Sequence, residues 1–287
     1  MTKRKVALVI GAGSVKCAAA IGLARVLARE RVDIDLIVGC SAGSIFAALM
    51  AMGETSDEVA AIAARLWTRE LTSTRDTRAM LSIVLPKLLG FGEHFGMRSD
   101  RRVRAALADA FGDTRIEALP TRLLITATDF RTGEQAVFER GRVVDAIRAS
   151  IAIPFVFTPA EVDGRLCIDG FLSDPLPVGP AVRDGADVII AMGFESNYQE
   201  RIDTPGRFAF QLSSIVTNNL LRSRYAFHSV AHHGEVIAIV PEFRERIGLF
   251  DTARIPYIIE EGERATEAML PHLMRMIDSP ATHAGEA

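Results

Sequence analysis

The sequence predicts an α/β fold with a mostly parallel sheet, and three observations carry that expectation. Short apolar runs rich in β-branched residues, at 6–10, 34–38 and 186–192, alternate with longer stretches of helical period. The run at 186–192 is apolar apart from Asp187, as suits a strand covered on both faces. Two of the runs pass directly into a glycine-containing turn and then a helix.

At 287 residues the chain can bury a substantial core. No repeat, low-complexity segment or linker composition interrupts it, so a single domain is expected over 5–277, with a frayed tail at 278–287. A net charge of −3, a pI near 6.1 and scattered Lys and Arg argue against a nucleic-acid stripe. Mean hydropathy is +0.20, yet no run approaches the ~18 apolar residues that a membrane span needs. Thr2-Lys3-Arg4-Lys5 before residues 6–10 imitates a secretory signal, but the apolar part is shorter than the ~7–15 residues of a true signal core. It is read as the first strand of a cytoplasmic protein. Cys17, Cys40 and Cys167 show neither C-x-x-C nor Cys/His ligand spacing, so they are read as small buried thiols.

The first strand, 6–10, ends at Gly11-Ala12-Gly13-Ser14-Val15-Lys16, and a helical pattern runs from Cys17 to Glu30. A strand, a glycine loop and a helix invite a nucleotide-binding reading. No Lys-Ser/Thr follows a second glycine, as a Walker A loop requires. The dinucleotide fingerprint G-x-G-x-x-G meets Lys16 at its sixth position; Asp33 or Asp35 could still serve a ribose, so this reading stays open. In either case the loop supplies backbone N–H groups at a helix start, suited to an anionic oxygen.

The strand at 34–38 leads through Gly39-Cys40-Ser41-Ala42-Gly43 into an apolar helix at 45–52, which stops at Gly53. Thr55 and Glu58 make a capping box for a second helix bearing Val59, Ile62, Ala63 and Leu66, with Trp67 extending its stripe. Residues 80–95 hold Met80, Leu81, Ile83, Val84, Leu85, Leu88, Leu89, Phe91 and Phe95, broken by Pro86, Gly90 and Gly92. That pattern fits a kinked buried helix pair or, as expected here, a mobile apolar flap over Ser41 that meets lipid, a membrane surface or a partner. A helix at 99–111 closes at Gly112. Strands follow at 122–128 and 134–138 across Thr132-Gly133, then a short helix at 143–150 that ends ahead of Pro154. Asp163-Gly164 marks a hairpin, and 166–168 delivers Asp169-Gly170 at a strand end. Helices at 207–232 and 256–276 flank a last strand at 236–240.

G-x-S-x-G between a strand and a helix places a serine on a sharp turn with its hydroxyl clear of the sheet and a helix N-terminus beneath it. A tight turn in any α/β protein reads the same way, so the motif needs partners. A serine nucleophile requires a base and an oxyanion hole. His94, His228, His232, His233, His272 and His283 are available, but none has a late strand-end address except His232 or His233, and those two fall on a helical stretch and read more simply as solvent-facing. Asp169 has a strand-end address, before a glycine that permits close approach.

Four stretches together resemble the bacterial patatin-like phospholipases: Gly11-Ala12-Gly13-Ser14-Val15-Lys16; Gly39-Cys40-Ser41-Ala42-Gly43; Arg148-Ala149-Ser150-Ile151-Ala152-Ile153-Pro154; and Ile168-Asp169-Gly170 leading to Asp174-Pro175-Leu176-Pro177-Val178. The resemblance runs from about Lys5 to Gly193. It implies a three-layer α/β/α fold and a Ser–Asp dyad with no catalytic histidine, metal or cofactor. By that likeness Ser41 resembles the nucleophile, Asp169 the base, and the backbone of Gly13, Ser14 and Val15 the oxyanion loop. Gly11 and Lys16 belong to the same glycine-rich loop, with Lys16 at its basic position, and Gly39 and Gly43 flank the nucleophile. Ala12, Ser14 and Cys17 stand where the family usually has further glycines, and Phe171 where it has a small residue. Each keeps an N–H donor while adding a side chain.

The expected function is therefore a serine acyl hydrolase cleaving lipid esters, with a lipid or acyl-ester substrate and no nucleic-acid partner. Two other classes stay open: a catalytically weak patatin-like binding or regulatory protein, and a dinucleotide-binding enzyme. An acyltransferase of the malonyl-carrier type stands behind both, because it expects a histidine beside its serine.

Overall fold

The protein is described by a computed structural model at residues 3–66, 92–97, 100–203, 205–231, 235–249 and 251–279. Its strands are β1 (Val6–Ile10), β2 (Leu36–Cys40), β3 (Arg122–Asp129), β4 (Gln135–Phe138), β5 (Ala160–Val162), β6 (Arg165–Ile168), β7 (Val188–Met192) and β8 (Glu235–Ile239). They form one sheet in the order β5-β6-β3-β2-β1-β7-β8, with β4 also on β3. The run β3-β2-β1-β7-β8 is parallel; β4 and β6 lie antiparallel to β3, and β5 antiparallel to β6.

Strand period explains why helices cover both faces. Val6, Leu8, Ile10, Val188, Ile190 and Met192 enter one core, whereas Ala7, Val9, Ile189 and Ala191 enter the other. The larger core is packed by α1 (Ala19–Arg29), α2 (Ala42–Ala51), α3 (Ser56–Leu66), α4 (Arg101–Phe111) and α5 (Val143–Ser150). The smaller core takes Val178 and Ala181 of α6 (Val178–Arg183) and Leu221 of α7 (Pro205–Ala231). The last helix, α8 (Ile255–Asp278), crosses α1 at two glycines. A Cβ on Gly22 would lie 2.2 Å from the Ile259 carbonyl, and one on Gly262 2.1 Å from that of Ala19. Only bare backbone lets these helices meet.

The expected strand at 34–38 instead runs two residues later, because Asp35 turns its carboxylate to the Val6 N–H. The start of the first expected helix is a separate 3-10 turn, Ser14–Ala18. The capping box forms as read, with Thr55 N–H on Glu58 Oε2 at 2.9 Å. Asp163 and Gly164, both at positive φ, make the β5–β6 hairpin. Trp67 and residues 80–91 of the expected flap lie outside the described residues.

Sheet order locates the site. From β1 the chain moves to β2 and β3 on one side and later returns to β7 and β8 on the other. Loops leaving the carboxyl ends of β1, β2 and β7 therefore converge at this switch point.

Candidate active site

Ser41 sits between β2 and α2 with φ 53° and ψ −132°, a left-handed conformation that costs a non-glycine residue about 1–3 kcal/mol. Hydrogen bonds hold it at both ends. Its N–H donates to Ser150 Oγ at 2.7 Å, and its carbonyl accepts from Ser44 N at 2.9 Å and Ser44 Oγ at 2.6 Å. The flanking glycines have spatial reasons. A Cβ on Gly39 would stand 2.5 Å from Ser44 Cα, and one on Gly43 2.5 Å from the carbonyls of both Ile10 and Gly11. Gly39 thus admits the helix, and Gly43 lets that helix close on the end of β1.

Ser41 Oγ donates to Asp169 Oδ2 at 2.7 Å. Asp169 is fully buried, and its second oxygen accepts the Phe171 N–H at 3.1 Å. Burial pushes this carboxyl up to about 7, against the pull of the Ser41 hydroxyl and the Phe171 N–H. A carboxylate poised there suits general-base work near neutral pH. Its placement depends on the direction of β6. That strand pairs antiparallel to β3 at Thr128↔Ile168, so the following residues run back along β3 toward Ser41. Gly170 then lies so close that a Cβ would be 2.7 Å from the Thr126 carbonyl and 2.8 Å from Cys40 Sγ.

In the glycine-rich loop, two N–H groups are already committed: Gly11 to Met192 O at 2.9 Å and Ala12 to Pro175 O at 2.8 Å. Gly13, Ser14 and Val15 follow at the start of the 3-10 turn. A Cβ on Gly13 would fall 2.4 Å from the Phe194 ring, so any side chain here would have to displace the buried Phe194. Ser14 takes a positive φ of 57°, a strained conformation for a residue with a side chain, and its hydroxyl is tied to the Leu249 carbonyl. Cys17 is buried within the turn, its Sγ 3.4 Å from Gly11 O. The Lys16 ammonium donates to Glu195 O at 2.9 Å and Asn197 Oδ1 at 3.0 Å, with the Phe243 ring 5.7 Å away. Burial pushes it down to about 8. Lys16 therefore anchors the loop to the chain leaving β7.

His94 and His272 are exposed on the surface; the side chains of His228, His232, His233 and His283 lie outside the described residues. No group of His, Cys, Asp and Glu suited to a metal ion occurs among the described residues, nor any helix long and apolar enough to cross a membrane. Ser150, Thr126 and Ala152 contact the site without having been singled out from the sequence. The stretch from Arg148 to Pro154 was the signal that could have found two of them.

The family model described as patatin-like phospholipase matches residues 8–182. An uncharacterized NTE family protein of Mycobacterium tuberculosis is 36% identical over 193 residues, which is 67% of this chain and 50% of that protein. Patatin-like phospholipase domain-containing protein 7 of Mus musculus is 30% identical over 194 residues, covering 67% of this chain and 14% of its own length. The crystal structure of VipD from Legionella pneumophila shares the fold with a TM-score of 0.51 at 13% identity, over 95% of this chain and 67% of that one. The chain spans about half the length of the mycobacterial relatives it matches.

Proposed function

The chain belongs to the patatin-like phospholipase family, and from that premise we propose that it hydrolyses carboxylic esters of lipids through a dyad of Ser41 and Asp169. Acyl esters of phospholipids and lysophospholipids are the substrate class. The observation that carries this reading is the 2.7 Å bond from Ser41 Oγ to a carboxylate buried away from water.

In the proposed sequence the ionised Asp169 takes the Ser41 proton as Oγ attacks the ester carbonyl carbon. The electron pair moves to the carbonyl oxygen, which the N–H groups of Gly13, Ser14 and Val15 stabilise, with the N-terminus of α2 adding a favourable dipole. Collapse of the tetrahedral intermediate expels the alcohol, which leaves with the proton held by Asp169. Water then attacks acyl-Ser41, again with Asp169 as base, and releases the fatty acid. Contact of residues 80–95 with a lipid surface remains part of the proposal and rests on their composition.

Intact-mass analysis after treatment with a fluorophosphonate probe tests the assignment. One adduct is expected on the native chain and none on Ser41→Ala. Undiminished labelling of Ser41→Ala would sink it.

A further inference from the structure

Residues 150–152 touch both members of the dyad. Ser150, the last residue of α5, is fully buried; its Oγ accepts the Ser41 N–H at 2.7 Å and donates to the Thr126 carbonyl at 2.7 Å. Two residues on, the Ala152 carbonyl accepts the Asp169 N–H at 3.0 Å. We infer that residues 150–152 are a positioning clamp, in which Ser150 sets the backbone of Ser41 and Ala152 that of Asp169, so that one short segment fixes the reach from nucleophile to base. The clamp rests on the dyad reading above.

The direction of the Ser150 bridge is fixed by its neighbours. An amide N–H can only donate and a carbonyl can only accept, so the single hydroxyl proton points to Thr126 and a lone pair faces Ser41. Thr126 stands opposite Cys40 in the β2–β3 ladder. One residue later the chain turns to φ 53°, and the Ser41 N–H leaves the ladder. The Ser150 hydroxyl takes the place of the missing strand partner. Away from water, that N–H without an acceptor bears a full desolvation penalty, which couples the hydroxyl to the strained turn. The Thr126 carbonyl is also the atom against which Gly170 packs, so the same point supports the base's side of the pair. Ser150 meets no reacting atom in this scheme and acts only through Ser41.

Ser150→Ala removes the acceptor with little change in volume. Expected are a fall in kcat on a water-soluble short-chain ester, and in the saturating rate of fluorophosphonate labelling, of ~10–100-fold. KM should stay within about twofold. The midpoint of the rising pH limb should move upward, since a looser Ser41 hydroxyl no longer pulls the Asp169 carboxyl down. Leu273→Ala, in α8, is the control for destabilisation: it should lower the melting temperature and leave kcat and the midpoint unchanged. Native kcat and midpoint in Ser150→Ala, with Ser41 still labelled in the native chain, overturn the clamp and spare the dyad. Should Ser150→Ala not fold, Ser150→Cys, a close isostere with a poorer acceptor, must show the same changes in smaller measure; unchanged values overturn the clamp. A native chain not labelled at Ser41 removes the dyad and the clamp together.

Discussion

Ser41 and Asp169 are 128 residues apart in the chain and joined by a 2.7 Å hydrogen bond. Neither strand that carries them pairs with the other: β2 and β6 flank β3 on opposite sides. The bond forms because β6 runs antiparallel to β3, bringing the residues after Ile168 back toward the carboxyl end of β2. Gly170 permits the last part of that approach.

Asp169→Asn is expected to abolish turnover while the fold persists. The amide keeps the shape of the carboxylate but cannot accept the Ser41 proton, and a positioned base typically contributes ~10²–10⁴-fold. The loss should appear in kcat. His94→Ala and His272→Ala, both at exposed sites, should retain most activity, as should Ala substitutions of His228, His232 and His233. A histidine variant as inactive as Asp169→Asn would replace the dyad with a triad.

The rate should depend on pH through the same group. Only the ionised carboxylate can act as base, and burial places its midpoint near 7. For a soluble ester, kcat/KM is expected to rise through about pH 7 and then level off. A limb centred near 4 would mean that Asp169 is solvated like an ordinary aspartate, contrary to its burial.

Stability should move in the opposite sense. The folded-state value, about 7, lies above the ordinary aspartate value of 3.8, so between these pH values the native chain holds a proton that the unfolded chain has released. The contribution of Asp169 is fully present below about pH 4 and is lost as pH rises through about 7. Asp169→Asn does not titrate, so its stability relative to the native protein should increase from pH 4 to pH 8. Denaturant titrations at both values check this; a difference that stays flat would show that Asp169 has no raised value.

Cys17→Gly separates the oxyanion loop from its side chains. Cys17 lies within the buried 3-10 turn, so the change should lower the melting temperature by creating a cavity and loosening the backbone. Turnover should change less than tenfold, about 1.4 kcal/mol of barrier, because backbone N–H groups serve the oxyanion. A much larger gain in rate would mean that the native loop is impaired, favouring a binding or regulatory role.

Two of the three Asp-Gly dipeptides stand six positions apart, and they divide what local chemistry specifies from what it leaves open. Asp163-Gly164 was legible as a hairpin turn because both residues tolerate positive φ, and that property belongs to the dipeptide. The same kind of local rule made β1, the Thr55–Glu58 cap and the glycines around Ser41 readable: strand and helix period, capping and turn chemistry act over a few residues. Asp169-Gly170 has nearly the same local signature and a different fate. Its carboxyl is buried against Ser41, while residue 163 sits in an exposed turn. Four motif stretches in order pointed to Asp169, but the 2.7 Å contact and the raised midpoint arise only after β6 turns back along β3. Ser150 was still less visible. Its one proton and lone pair are assigned by Thr126 and Ser41, 24 and 109 residues distant, and no period or spacing within a single element encodes such a pairing. Desolvation and hydrogen-bond direction are properties of the assembled neighbourhood, so they exist only in the folded chain.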